Sequence, residues 1–257
     1  MYITEKQYVC ANKLLDSRTM WKIAWIERLL CIVIIAFIAL TACTPHKQKM
    51  EQSEMQAFEA FFDADGDSVS ITPRKVRTQA LQKMQEAKDS LVRYNYLAVA
   101  SKTCLMSSDI DSARLLTRQI EDFTMKQPFS AQLADLKSEC YNMKGNVYAR
   151  TGYMDSAEVY FRKAYEQRMQ GTKIEVVPDI LMNLADASNR LGKLDAGAAW
   201  YRRALILCDS LDIVSTKKPP IYYGLAQIYV ALRDFDQCDY YYNLAAGSYE
   251  KSVIYWK

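Results

Sequence analysis

The chain has 257 residues, half of them hydrophobic and a quarter charged, an ordinary composition for a globular chain of one or two domains. The net charge is +3 from 33 Lys/Arg and 30 Asp/Glu; residues 1–43 hold five and three of these, which leaves 28 against 27, a balance of +1. That argues against a strongly electrostatic nucleic-acid surface, which needs a basic excess on one face. Only eight Gly and six Pro occur, so a mostly helical chain with few turns is expected.

Residues 29–42, LLCIVIIAFIALTA, form the most apolar run. Fourteen residues are short for a membrane span, which needs about 20, and suit the core of a signal peptide. Lys22 and Arg28 precede it on the side expected to stay in the cytoplasm. Leu40-Thr41-Ala42-Cys43 closes it. This resembles a bacterial lipobox, in which small residues admit the signal peptidase and the Cys43 sulfur carries a diacylglycerol. The resemblance implies cleavage after Ala42, a lipidated Cys43 and a mature chain facing the periplasm. The competing readings are an uncleaved anchor helix over 21–42 and an ordinary cleaved signal. Residues 1–19 are mixed polar, so Met20 is a candidate start. Residues 44–72 are expected to be a polar tether. Within it, Asp63, Asp65 and Asp67 invite a calcium reading, but Ser68 stands where the loop needs Gly and Arg74 where it needs Glu.

From Pro73 the apolar spacing of Val76, Leu81, Met84, Ala87 and Leu91 predicts a leading helix over 73–93. A frame then recurs over 94–252. It is clearest from Gly145, with Tyr148 three residues on, Gly152 seven, Ala157 twelve, Phe161 sixteen and Ala164 nineteen. Small residues stand where two backbones approach, and large ones fill the gaps beside them. Ala185 starts it again with Gly192, Gly197, Tyr201 and Ala204; Ala226 does so with Tyr229, Cys238, Tyr242 and Ala245. A weaker copy starts at Ser101, with Ala113, Ile120, and Thr117 in place of the aromatic. Ten residues after each start stands an Asp (Asp111, Asp155, Asp195, Asp236), preceded by Ile110, Met154, Leu194 and Phe235. These Asp residues are read as helix N-caps, with Leu115, Val159, Ala199 and Tyr240 as the places onto which the preceding apolar residues staple.

The spacing resembles the tetratricopeptide repeat, with Tyr141 where that repeat has Trp and Lys144 where it has Leu. The resemblance implies an all-α, right-handed solenoid of about four helix-turn-helix repeats, at 94–127, 138–171, 178–211 and 219–252. The starts lie 44, 40 and 41 residues apart, against about 34 in the standard unit. Pro178 and Pro219 open helices. Residues 253–257 hold Val253, Ile254, Tyr255 and Trp256. They are read as the truncated start of a further helix, whose apolar edge implies either more repeats or self-association through this end.

Catalytic chemistry is not expected. The one His, His46, lies in the tether, so no His-based acid–base or zinc site can be built in the repeats. No phosphate loop or nucleophile elbow occurs, and no cofactor or metal is implied. Cys104 and Cys238 fall at buried places of the frame and read as small apolar filler, although an oxidising compartment would permit a disulfide among Cys104, Cys140, Cys208 and Cys238. Of Tyr240-Tyr241-Tyr242, the outer two are expected in the core and Tyr241 half exposed.

A binding site is expected on the first-helix face, taken as the concave side. The frame puts Asn142, Asn146 and Arg150 there, then Met182, Asp186, Asn189 and Arg190, then Tyr223 and Gln227. Asn, Arg and Tyr suit peptide backbones and carboxylates. The peptide-clamping Lys and Asn of chaperone-binding members are matched only at Asn146, so that function is not carried over. With the lipobox, the layout resembles membrane-tethered bacterial regulators; GAAWYRRALILCDSLDI and YYGLAQIYVALRDF look like their periplasmic repeats. The resemblance implies a lipid-anchored sensing or interaction module, the N-terminal part of a larger signalling protein, with a protein or peptide partner in the envelope. An envelope-assembly lipoprotein is the alternative, and an enzyme a distant third.

Overall fold

The computed structural model describes Trp25 and residues 48–62, 72–213 and 217–254. The apolar run at 29–42, the Cys43 lipidation site with Leu40, Thr41 and Ala42, and the acidic run at 63–67 lie outside the described residues. The chain divides into two units, Met1–Gln56 and Ala57–Lys257. In the first, residues 48–56 are helical. Among the described residues all regular structure is helical, and no helix is long and apolar enough to cross a membrane.

The second unit opens with helical residues 57–62 (α1). Then follow α2 (Pro73–Glu86), α3 (Ser90–Met106), α4 (Ile110–Thr124), α5 (Ala131–Arg150), α6 (Met154–Arg168), a 3-10 turn (Ile174–Val176), α7 (Val177–Arg190), α8 (Leu194–Ser210), α9 (Lys218–Leu232) and α10 (Phe235–Ile254). Pro73, Pro178 and Pro219 sit in first turns, where the missing N–H has no partner to lose. Helices pack as the pairs α3/α4, α5/α6, α7/α8 and α9/α10, each pair against the next. This is a tetratricopeptide-type helical solenoid, as the spacing implied, and α2 packs on α3 ahead of it.

The frame's chemistry is visible inside each pair. Ala113, Ala157, Ala164 and Ala204 are fully buried where helices touch. Gly145 faces Phe161, whose ring fills the space a Cβ would need. In the first pair the same two places hold Ser101 and Thr117, whose hydroxyls bond to each other at 2.9 Å. The missing aromatic is replaced by a polar contact. Seven residues after each start the backbone is left-handed: Ser108 (φ 60°), Gly152 (88°), Gly192 (74°) and Arg233 (58°). Glycine takes that conformation freely, and Ser and Arg do not. This residue stops the first helix and lets the second fold back.

That turn also corrects the capping register. The second helices start at Ile110, Met154, Leu194 and Phe235, so Asp111, Asp155, Asp195 and Asp236 lie inside the first turn. The residues ahead of those starts are Asp109, Tyr153, Lys193 and Asp234. Only the two aspartates cap, accepting from the N–H groups of Ser112 (3.2 Å) and Gln237 (3.1 Å). The inner Asp residues act as first-turn charges near the positive helix end. The staple does not form either, since Leu115, Val159 and Tyr240 are exposed.

Three further expectations change. Within the presumed tether, residues 48–62 are helical, and Phe58 and Phe61 are buried. Their spacing gives one apolar face that packs on Tyr96. Tyr240 and Tyr242 are exposed and Tyr241 is half-buried. Tyr242 occupies the place of the buried Phe161 and Tyr201, but among the described residues no helix follows α10 to cover it. Residues 253 and 254 continue α10 instead of starting a new helix. Cys104, Cys140 and Cys208 are free and buried, and Cys238 is free and half-buried. Burial pushes the Cys140 thiol up to about 12.

Candidate protein-binding face

Residues four apart on a helix share a face. Along α5, α7 and α9 the row reads Asn142, Asn146, Arg150; Met182, Asp186, Arg190; Tyr223, Gln227. Arg150, Asp186, Arg190, Tyr223 and Gln227 are exposed, while Asn142, Asn146 and Asn189 are half-buried. Two of the expected ligands are already engaged. Asn146 donates to the Asn142 carbonyl at 2.9 Å, and Asn183 donates to the Asn142 amide oxygen at 2.9 Å. The second bond ties α5 to α7. Asn183 was not visible in the frame, because its own helix gives no sign of what the neighbouring helix presents.

Asp186 is the best-defined group on the face. Its carboxylate accepts a hydrogen bond from the Tyr201 hydroxyl of α8. Although solvent reaches the residue, its carboxyl is crowded by protein, and that desolvation raises its pKa; the Tyr201 hydroxyl and Arg190 pull it back down. Burial also raises the Tyr201 hydroxyl, and the Asp186 charge adds to it. Gly224 of α9 makes this arrangement possible, since a Cβ there would overlap the Tyr201 ring and hydroxyl. The place of Tyr201 in the frame was legible; its reach to Asp186 and the next pair was not.

Behind this face lie polar clusters whose geometry is structural. Arg168 is buried against Asp135 at 3.0 Å and Ser138 at 3.1 Å. Asp135 also accepts from the Thr172 N–H at 2.9 Å and the Lys173 N–H at 3.3 Å, which pins the chain between α6 and α7. Glu158 takes Lys193 at 2.5 Å and Arg162 at 3.3 Å. A tyrosine trio recurs at equal frame positions: Tyr141, Tyr148 and Tyr160, then Tyr222, Tyr229 and Tyr241. Tyr148 stacks on Tyr160 at 5.3 Å and Tyr229 on Tyr241 at 5.6 Å. Lys144 lies over the Tyr160 ring and also bonds Glu121 of α4, so the first trio packs toward the preceding pair.

What the exposed row offers is recognition: two guanidiniums for carboxylates, an amide for peptide groups, a carboxylate for a cation or amide, and a ring for apolar contact. Among the described residues no cluster of His, Cys, Asp or Glu could hold a metal ion.

Comparison with known proteins agrees with this geometry. The tetratricopeptide repeat model matches residues 138–168 and 219–255, the α5/α6 and α9/α10 pairs. No curated protein matches the chain. Among solved structures, the chain is similar to BtubC (BKLC) from P. vanneervenii, at 20% identity and a TM-score of 0.55, covering 76% of this chain and 74% of that one. At that identity the likeness is one of fold. The chain therefore carries tetratricopeptide repeats within a stack of paired helices.

Proposed function

We propose that this chain is a protein-interaction module that takes a partner segment on the first-helix face of α5, α7 and α9. Stacks of this kind are typically non-catalytic scaffolds whose repeats receive other proteins. The observation that carries the reading is the single row of exposed Arg150, Asp186, Arg190, Tyr223 and Gln227 over consecutive repeats. The mixed charge of the row suits a segment with both carboxylates and free backbone groups. The test is the set of proteins cross-linked in cells to the parent chain and to the Arg150→Ala/Arg190→Ala/Tyr223→Ala variant. The reading expects at least one partner to be lost, and an unchanged set contradicts it.

The setting we propose is the periplasmic side of a bacterial envelope, with Cys43 lipidated, on the strength of Leu40-Thr41-Ala42-Cys43 after a short apolar core. Labelled palmitate should enter the parent and not Cys43→Ser. The support for a sensing role over an assembly scaffold is the resemblance read in GAAWYRRALILCDSLDI and YYGLAQIYVALRDF. Exposed Val230, Leu232, Phe235, Tyr240 and Tyr242 support self-association at the α9/α10 end, which light scattering over a range of concentrations would detect as a rising mass.

A further inference from the structure

The helix α3 differs from the other three first helices. Tyr96, Leu97, Ala98, Val99, Ala100 and Ser101 are all buried. Six successive helical residues turn through more than one full circle, so α3 is covered on every side. At the same frame positions α5, α7 and α9 each leave residues open to solvent: Asn142, Met182 and Tyr223 stand where Ala98 is enclosed. The face that forms the candidate site in later repeats is closed in the first at Ala98, while Lys102 stays half-buried and Met106 exposed.

What helps close it is α1. Phe58 and Phe61 meet the Tyr96 ring edge-on, at 5.0 and 5.4 Å. Phe62 lies against Lys102, the first-repeat counterpart of Asn146, Asp186 and Gln227. Each of the three rings has its own ammonium. Lys173 is 5.9 Å from the Phe58 ring, Lys83 5.9 Å from Phe61 and Lys102 5.7 Å from Phe62. Lys173 also pairs with Glu59 at 3.4 Å. Lys173 is held for this by its backbone N–H, which bonds Asp135. Three cations arranged over three aromatic faces, one of them also paired to a carboxylate, form a site with a stated preference. It fits a helix carrying aromatic residues at i, i+3 and i+4 and an acid at i+1.

We propose that residues 57–62 are an in-built competitor at this site: the first repeat takes a partner helix of that aromatic and acidic pattern, and the chain's own segment fills the site until the partner displaces it. The proposal rests on the reading of the first-helix face as a protein-binding surface. Phe62 remains 37% exposed, which suits a contact that opens without unfolding the stack. A competitor held in the same chain lowers the apparent affinity for the partner by the fraction of time it is open.

Two measurements on the full chain test this. Hydrogen exchange on the parent should show the amides of 57–62 exchanging about tenfold or more faster than the central amides of α3; equal protection would mean that α1 opens only with the whole fold and would overturn the proposal. A fluorescein-labelled peptide spanning residues 54–64 is then titrated into the parent and into Phe58→Ala/Phe61→Ala. The variant should bind about tenfold tighter than the parent, and adding Lys102→Glu and Lys173→Glu should abolish the gain. Equal binding to both chains overturns the proposal, as does no binding to a variant that keeps its helical spectrum and melting transition. If the variant misfolds, the exchange result on the parent decides. Partner loss in the Arg150/Arg190/Tyr223 variant together with a failed peptide test would overturn the competitor alone and leave the exposed row as the binding face.

Discussion

The ring of Phe161 occupies the volume that a Cβ on Gly145 would need. Both residues belong to one helix pair, and Phe161 is 2% exposed, so the ring has no open space to swing into. Alanine at position 145 gains roughly 0.5–1 kcal/mol of helix propensity over glycine. Overpacking a filled core costs about 1–3 kcal/mol, and it should win. Gly145→Ala is expected to lower the urea midpoint, and Gly145→Ala/Phe161→Leu to recover part of the loss. An unchanged or higher midpoint in the single variant would contradict the packing described.

The left-handed turn residues separate conformational strain from packing. Nothing lies within 4 Å of a Cβ built on Gly152, whose φ is 88°, so Gly152→Ala tests the backbone alone and should cost about 1–2 kcal/mol. Arg233 bears that strain already, with φ 58°. Arg233→Gly should stabilise by a few tenths to about 1 kcal/mol, because relief of strain exceeds the added freedom of the unfolded chain. Opposite signs in thermal melts of the two variants are the expected result.

Arg168 and Asp135 are a buried ion pair, with side chains 4% and 11% exposed. Removing one partner from such a pair typically costs about 3–5 kcal/mol, because the other charge is left without its counterion. Arg168→Met is expected to fall in that range by chemical denaturation, and Arg168→Lys between it and the parent, since lysine keeps the charge and loses the planar fork. A loss under about 1 kcal/mol for Arg168→Met would mean the pair is no better than a surface contact.

Asp109 links capping to acid stability. The hydrogen bonds from Ser112 hold its carboxyl below the usual range, with a smaller contribution from Arg77. A carboxyl lowered in the folded state contributes stability that is present above the unfolded pKa of about 3.9 and disappears as pH falls through the lower folded value. Asp109→Ala should therefore weaken the chain at neutral pH and flatten the acid limb of its stability–pH profile. Asp155→Ala removes only a first-turn charge and should cost about 0.3–1 kcal/mol. A steeper acid limb in Asp109→Ala than in the parent would contradict the assignment.

Much of the stack is legible from residue size alone. Gly145, Ala157 and Ala164 mark close backbone approaches, and the seven-residue step to Gly152 and Gly192 marks the turn. The sequence points to caps two residues too late because Asp111, Asp155, Asp195 and Asp236 recur perfectly, while the caps that form, Asp109 and Asp234, occur in two repeats only. Recurrence reported a charge preference near the helix start and not a hydrogen bond. The role of residues 57–62 is not legible in sequence, because three Phe within an acidic, polar surrounding say nothing about the lysines that receive them, which come from α2, α3 and the turn after α6. The binding row was legible as a face, since spacing by four fixes it. That Asn142 accepts from Asn183 depends on how α5 and α7 sit side by side, which no single helix encodes.

The central claim is that the first-helix face, and not the outer face, receives a protein. A photo-reactive amino acid placed at Gln227 and, in a separate chain, at exposed Val159 of α6 compares the two surfaces in the same cells. The account predicts a discrete cross-linked partner from position 227 that vanishes in the Arg150→Ala/Arg190→Ala/Tyr223→Ala background, and no such product from position 159. A partner captured from position 159 alone, or one from position 227 that survives the triple substitution, would contradict it.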